Sequence, residues 1–263
     1  MRLPIYRIDA FSDQPFRGNP AAVMPLEHWL DDSLLQAIAA ENNLAETAYF
    51  VADPSGAADY ELRWFTPAVE VALCGHATLA AAHVLWRHLG FTGTVIAFRT
   101  RQSGVLRVSR NADGRLTLDF PSYRLAPVEE PALVAALGGA PDAVLGGGIW
   151  RMAVYGCQAD VTALTPDLRA IKGMGHMVIA TAAGETADFV SRFFAPAHGV
   201  DEDSVTGSAH CRLIPYWSER LGKAELYAEQ ISQRLGRLWC RDRGERVDIA
   251  GYCIDTLIGE VLA

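Results

Sequence analysis

Apolar residues recur along this chain at two spacings, and the change from one to the other marks its elements. Short β-like runs predict strands over residues 5–11, 21–26, 47–51 and 60–65, with Gly18-Asn19-Pro20 as the first turn. Before the third strand, Leu34, Leu35, Ile38 and Ala39 share a face at helical spacing. Asp31 or Asp32 can cap that helix, which should end near Asn42-Asn43. The run 75–89 is helical and apolar almost all round (Leu79, Ala80, Ala81, Ala82, Val84, Leu85), so it should be buried on most sides. Strand spacing returns at 95–100, 105–109 and 116–120. From about residue 121 the pattern starts again, with a short helix over 131–137, strands over 176–181 and 189–194, and a long helix over 207–221. Residues 225–262 alternate like a set of antiparallel strands. The expected organisation is two halves, 1–120 and 121–263, with central helices from Gly75 and Gly207.

The two halves share an internal likeness. Phe65-Thr66-Pro67 precedes the helix that starts at Gly75 and ends at Leu89-Gly90; Phe194-Ala195-Pro196 precedes the one from Gly207 to Leu221-Gly222. In both, the bounding glycines are 15 residues apart and an alanine (Ala77, Ala209) holds the third place, while the approach loops differ, 8 residues against 11. The joint match points to a duplicated half.

Composition narrows the class. Half of the 263 residues are hydrophobic and 21% are charged, as a packed protein requires and a disordered one lacks. Net charge is −8 with the 23 Lys and Arg scattered, so no basic stripe offers itself to nucleic acid. The dense charge run Arg241-Asp242-Arg243-Gly244-Glu245-Arg246 mixes signs and reads as a solvated hairpin turn. The five cysteines are odd in number and form no C-x-x-C pair, which argues against a disulfide framework or a zinc site and for a reducing compartment. No apolar stretch approaches the roughly 20 residues that span a bilayer, and the first 25 residues do not read as a signal peptide. The expectation is a cytoplasmic protein with no membrane or nucleic-acid partner. Gly146-Gly147-Gly148 lacks the dinucleotide-binding spacing, and no metal-binding motif such as H-E-x-x-H occurs.

Chemistry concentrates at the two helix starts. A glycine there lets a ligand approach the backbone, and the free N–H groups of the first turn, with the helix dipole, attract an anion. Two such starts facing one another would hold a carboxylate with main-chain donors. Beside the first lie His76 and, before the strand at Thr47, Glu46; beside the second lie Asp203 and Ser208. Two carboxylates and an imidazole can move a proton. Singly, each has a plainer explanation: an exposed Glu, a hydrogen-bonded core His, an Asp that caps a helix.

The segments Asn43-Leu44-Ala45-Glu46-Thr47, Cys74-Gly75-His76-Ala77-Thr78 and Glu202-Asp203-Ser204-Val205-Thr206-Gly207-Ser208-Ala209 closely resemble the signature blocks of the phenazine-biosynthesis isomerase (PhzF-like) family. Asp9-Ala10-Phe11 through Gly18-Asn19-Pro20-Ala21-Ala22-Val23 looks like that family's first hairpin, and the resemblance runs from near residue 5 to the end. It implies the α+β diaminopimelate-epimerase-like fold, two pseudo-symmetric halves, each an antiparallel sheet wrapped around a central helix. It also implies a homodimer that uses no metal and no organic cofactor on a small carboxylic acid. The characterised family chemistry isomerises trans-2,3-dihydro-3-hydroxyanthranilate by shifting a proton along the ring. By the resemblance Glu46, His76 and Asp203 are catalytic, and Gly75, Gly207 and Ser208 bind substrate.

Three positions depart from the pattern. Ala45 stands where the family often has Ser, and Ser204 where Pro is common. Epimerases of the same fold use two cysteines; Cys74 falls where the first would be and Thr206 where the second would be, so a two-thiol epimerase lacks half its machinery. Under the isomerase reading Glu46 removes and returns the proton, with burial expected to raise its pKa, while His76 and Asp203 orient the substrate and relay or stabilise charge. Two rivals stay open: a racemase or epimerase with a second base opposite Glu46, and a non-catalytic small-ligand-binding protein.

Overall fold

A tight first turn shows how local chemistry sets the start of the fold. Gly18 has φ +66°, and a Cβ there would stand 2.1 Å from the carbonyl oxygen of Ala10, so the hairpin it closes demands glycine. The computed structural model describes all residues, Met1–Ala263, and divides into two compact units, Met1–Asp119 with Ile249–Ala263, and Phe120–Asp248.

In chain order the elements are β1 (Arg2–Ala10), β2 (Asn19–Pro25), α1 (Asp32–Asn42), β3 (Glu46–Ala52), β4 (Tyr60–Phe65), β5 (Glu70–Val71), α2 (Gly75–Arg87), β6 (Val95–Arg99), β7 (Val105–Arg110) and β8 (Leu116–Pro121). There follow β9 (Ala126–Pro127), α3 (Pro131–Leu137), β10 (Ala143–Gly147), β11 (Trp150–Val154), α4 (Gln158–Ala163), α5 (Leu168–Met174), β12 (Met177–Ala183) and β13 (Phe189–Phe194). The chain ends with α6 (Gly207–Leu221), β14 (Glu225–Gln230), β15 (Gly236–Asp242), β16 (Arg246–Gly251) and β17 (Cys253–Leu262).

Strand pairing repeats between the units. In the first, β1–β2 is antiparallel, β2–β3 parallel, β3–β4 antiparallel, β4–β6 parallel and β6–β7 antiparallel. In the second, β10–β11, β11–β12, β12–β13, β13–β14 and β14–β15 run through the same succession. The long helix lies at the matching step in each, α2 before β6 and α6 before β14. The pairing within each unit is not purely antiparallel as expected: helical crossovers return the chain in the same direction and so leave two parallel pairs per unit. β17 pairs antiparallel with β1, from Arg2↔Leu262 to Ala10↔Cys253, with a bulge at Arg7/Ile8, so the C-terminal strand counts with the first unit.

The helix expected to be buried on most sides is so: His76 to Ala82, Val84 and Leu85 of α2 are all buried, against β1, β2 and β3. Under it Ala21, Ala22, Val23 and Met24 are all inaccessible, which explains why β2 reads as a continuous apolar run. In α6, Ala209, Leu213, Ile214 and Trp217 are buried; the Trp217 ring stacks on Phe189, and its Nε1 donates to Thr181 Oγ1 at 3.0 Å. Burying such a side chain contributes about 1.5–3 kcal/mol. Residues 138–175 hold more structure than their pattern shows. Gly148 is in the turn of the β10–β11 hairpin, and α4 and α5, of 6 and 7 residues, mix polar and apolar positions without the apolar run and leading proline that mark α3. No helix is long and apolar enough to cross a membrane.

Candidate active site

The start of α2 brings three sequence-distant groups together. Cys74 is the N-cap residue, Gly75 the first helical residue and His76 the second. Glu46 opens β3, in parallel register with Ala21 of β2. His76 Nε2 lies 3.2 Å from Glu46 Oε2, and its Nδ1 lies 3.4 Å from Cys74 Sγ. The Nε2 contact is an ion-pair approach rather than an aligned hydrogen bond, since neither atom has a hydrogen-bond partner. The His76 side chain is 7% exposed and that of Glu46 19%, so the imidazole lies beneath and the carboxylate is the outer member.

Charge within this group departs from the expectation. Burial does push the Glu46 carboxyl upward, but the His76 cation beside it prevails, and the net shift is down from 4.5. The corrected assignment is a carboxylate below its ordinary range facing a histidine held well above 6.5. Desolvation opposes the His76 charge, yet Cys74 and Glu46 together outweigh it. Burial, then the Glu46 charge, pushes the Cys74 thiol up to about 11, so it stays protonated at neutral pH. Glu46, Cys74 and His76 offer donor atoms within 4.8 Å of one another, types that a metal of the zinc class accepts. A metal there would take the same atoms that now form the ion pair.

The start of α6 is built differently. Thr206 is its N-cap residue, and its Oγ1 donates to Asp203 Oδ2 at 2.6 Å. Gln230, fully buried at the end of β14, holds this turn: its Oε1 accepts from Thr206 N at 2.8 Å and its Nε2 donates to Asp203 O at 2.8 Å. Sequence reasoning missed Gln230. The available signal was parity, because Leu226, Ala228 and Gln230 share the buried face of β14 and only the last is polar. Gly207 is buried and lacks a positive φ, yet a Cβ there would meet nothing within 4 Å. Neither backbone conformation nor packing in this unit requires glycine. Ser208 is exposed, and its carbonyl accepts from Arg212 Nη1 at 2.9 Å.

Two units of one pairing succession, each with a central helix entered at a glycine, define the architecture shared by certain epimerases and isomerases. A hydroxyproline epimerase of Agrobacterium vitis shows the fold alone, at 12% identity and TM-score 0.61 over 99% of this chain and 92% of that one. The chain belongs to the phenazine biosynthesis-like (PhzC-PhzF) family, whose model matches residues 8–257. It is similar to an uncharacterized isomerase of Pseudomonas aeruginosa, 51% identical over 99% of both chains. Among solved structures it is similar to a PhzF-family phenazine biosynthesis protein of Enterococcus faecalis, 41% identical, with TM-score 0.95 and full coverage of both chains.

Proposed function

We propose that this protein is a cofactor-independent isomerase that moves a proton between carbons of a small carboxylic acid, with Glu46 as the acid and base. The observation that carries this reading is the Glu46–His76 pair. A carboxylate backed by a buried cation, and itself the outer member, is placed to meet a substrate. At rest Glu46 is ionised and ready to accept a proton from carbon. A substrate carboxylate and exclusion of water both favour the neutral acid, which moves Glu46 upward from its resting value and lets it return the proton. His76 holds positive charge while the substrate carries negative charge. Asp203, held by Thr206 and Gln230, is the second unit's orienting carboxylate in this proposal. The first-turn amides at Gly75 and at Gly207-Ser208 are its carboxylate donors, and the empty space at the Gly207 Cα supports a close approach there.

Family membership supports the isomerase class, and the five free cysteines support a reducing, cytoplasmic setting. The proposal includes a homodimer, for which sedimentation should give twice the 28.6 kDa chain mass. The decisive test is enzyme-dependent deuterium uptake from D₂O across a panel of dihydroaromatic and amino acids. Wild type should exchange a substrate proton, and Glu46→Gln should lose that exchange by roughly 10²-fold or more while keeping its fold. Wild-type-like exchange in Glu46→Gln would sink the mechanism. Exchange with inversion at a stereocentre would assign a racemase instead, and binding without exchange a ligand-binding protein.

A further inference from the structure

A second cluster of titratable groups lies at the opposite end of α2, about 18 Å along the helix from Gly75 at 1.5 Å per residue. His83, in the last turns of α2, and His88, its C-cap residue, both stand over Asp255 of β17. His88 Nε2 is 2.7 Å and His83 Nε2 3.4 Å from the same oxygen, Asp255 Oδ1, and the three donor atoms lie within 4.8 Å of one another. His83 Nε2 is buried without a hydrogen-bond partner, although it points its ring nitrogen toward this group. The His88 ring is held in plane by stacking on Tyr6, with centroids 4.8 Å apart. A cavity of about 370 Å³ adjoins the cluster and is lined by His83, Asp255, Arg87 and Arg110 among others.

His88 hydrogen-bonds Asp255, whereas His83 only approaches the same oxygen as an ion pair, its Nε2 without an aligned hydrogen bond. A metal gives all three a bond. Zinc-class ions take imidazole nitrogen and carboxylate oxygen at about 2.0–2.2 Å, which sets neighbouring ligand atoms roughly 3.3 Å apart in a tetrahedron. The His83–Asp255 distance matches that spacing, and the His88–Asp255 contact must open by about 0.6 Å to reach it. We propose that His83, His88 and Asp255 bind one divalent transition-metal ion of the zinc class, its remaining coordination position open to the adjoining cavity. The ion would tie the end of α2 to the C-terminal strand, replacing one hydrogen bond with three bonds. Arg87 and Arg110 weaken attraction for a cation and favour an anion as the remaining ligand.

The test is calorimetric titration of the full chain with Zn²⁺, paired with the absorption spectrum of the Co²⁺ form. Wild type should bind one equivalent saturably and melt at a higher temperature with zinc than without. His83→Gln, which gives up only the 3.4 Å approach to Asp255, and Asp255→Asn should each weaken binding by about tenfold or more. Cys74→Ser should bind as wild type, and the Co²⁺ spectrum should lack thiolate charge transfer. Absence of saturable zinc binding in wild type overturns the proposal. So do undiminished affinity in the folded His83→Gln protein and a thiolate band that Cys74→Ser abolishes, which would assign the ion to the Glu46–His76 cluster. Should Asp255→Asn fail to fold, the His83→Gln result decides alone.

Discussion

In the first unit the residue before the helix glycine is Cys74, whose carbonyl accepts from both the amide and the hydroxyl of Thr78. In the second it is Thr206, whose carbonyl accepts from both the amide and the ring Nδ1 of His210. One backbone device thus starts both helices, four residues apart in each. The side chains around it diverge. The first start gathers a carboxylate and an imidazole as an ion pair. The second gathers neutral donors and acceptors around Asp203. The two buried histidines make the difference plain: His76 is held well above its ordinary value and His210 is pushed down to about 4. Both suffer desolvation as the largest influence. Only His76 has a carboxylate and a thiol against its ring, so the neighbour and not the depth of burial decides the charge.

That contrast can be broken experimentally. The largest effect should come from exchanging the two carboxylates' chemistry one at a time. Glu46→Gln should remove proton exchange by roughly 10²-fold or more, and Asp203→Asn should impair it less, because an orienting group can be partly replaced by an amide. Equal losses in deuterium-exchange rate would mean that the two starts share the proton transfer.

The polar brace of the second unit comes next. Gln230→Ala strands the Thr206 amide in a buried site and should cost about 1–3 kcal/mol of stability, read as a lower denaturant midpoint. An unchanged midpoint would show that the brace is dispensable.

The charge pair of the first unit should appear in the pH dependence of stability. Glu46 is held below 4.5, so its contribution is present above pH 4.5 and is lost as pH falls through the folded value. His76 is held above 6.5, so its contribution is present in full below pH 6.5 and is lost as pH rises through its folded value. The pair therefore stabilises most between pH 4.5 and 6.5, and His76→Gln should flatten that rise in a series of melts. His210→Gln should leave the rise intact.

The smallest effect on the fold belongs to Gly207→Ala. With helical φ and room for a methyl group, stability should stay level or rise by about 0.4–1 kcal/mol, while carboxylate binding weakens because the methyl occupies the approach. Unaltered ligand affinity would remove the second helix start from the site.

Most elements were legible in the pattern of apolar residues itself. The strands at Tyr60–Phe65 and Phe189–Phe194 and the helices at Pro131–Leu137 and Gly207–Leu221 lie where the pattern puts them. Glu46 and His76 were legible as candidates through their motifs, although 30 residues separate them. Their contact was not, and the expected upward shift of Glu46 had the wrong sign because the cation that reverses it comes from another element. α4, α5 and the β10–β11 hairpin escaped because their short, mixed polar and apolar runs lack both a period and the leading proline that marked Pro131–Leu137. Gln230 escaped because a single amide in an alternating strand gives no motif.

The sequence alone determined the periods, the glycine and proline punctuation and the duplication, since each depends on residues close together along the chain. Tertiary structure decided which groups are charged. It set Glu46 against His76, left His210 with only a carbonyl, and returned β17 beside α2 so that Asp255 meets His83 and His88. Charge states follow distance and dielectric between groups far apart in sequence, and those quantities exist only once the chain has packed.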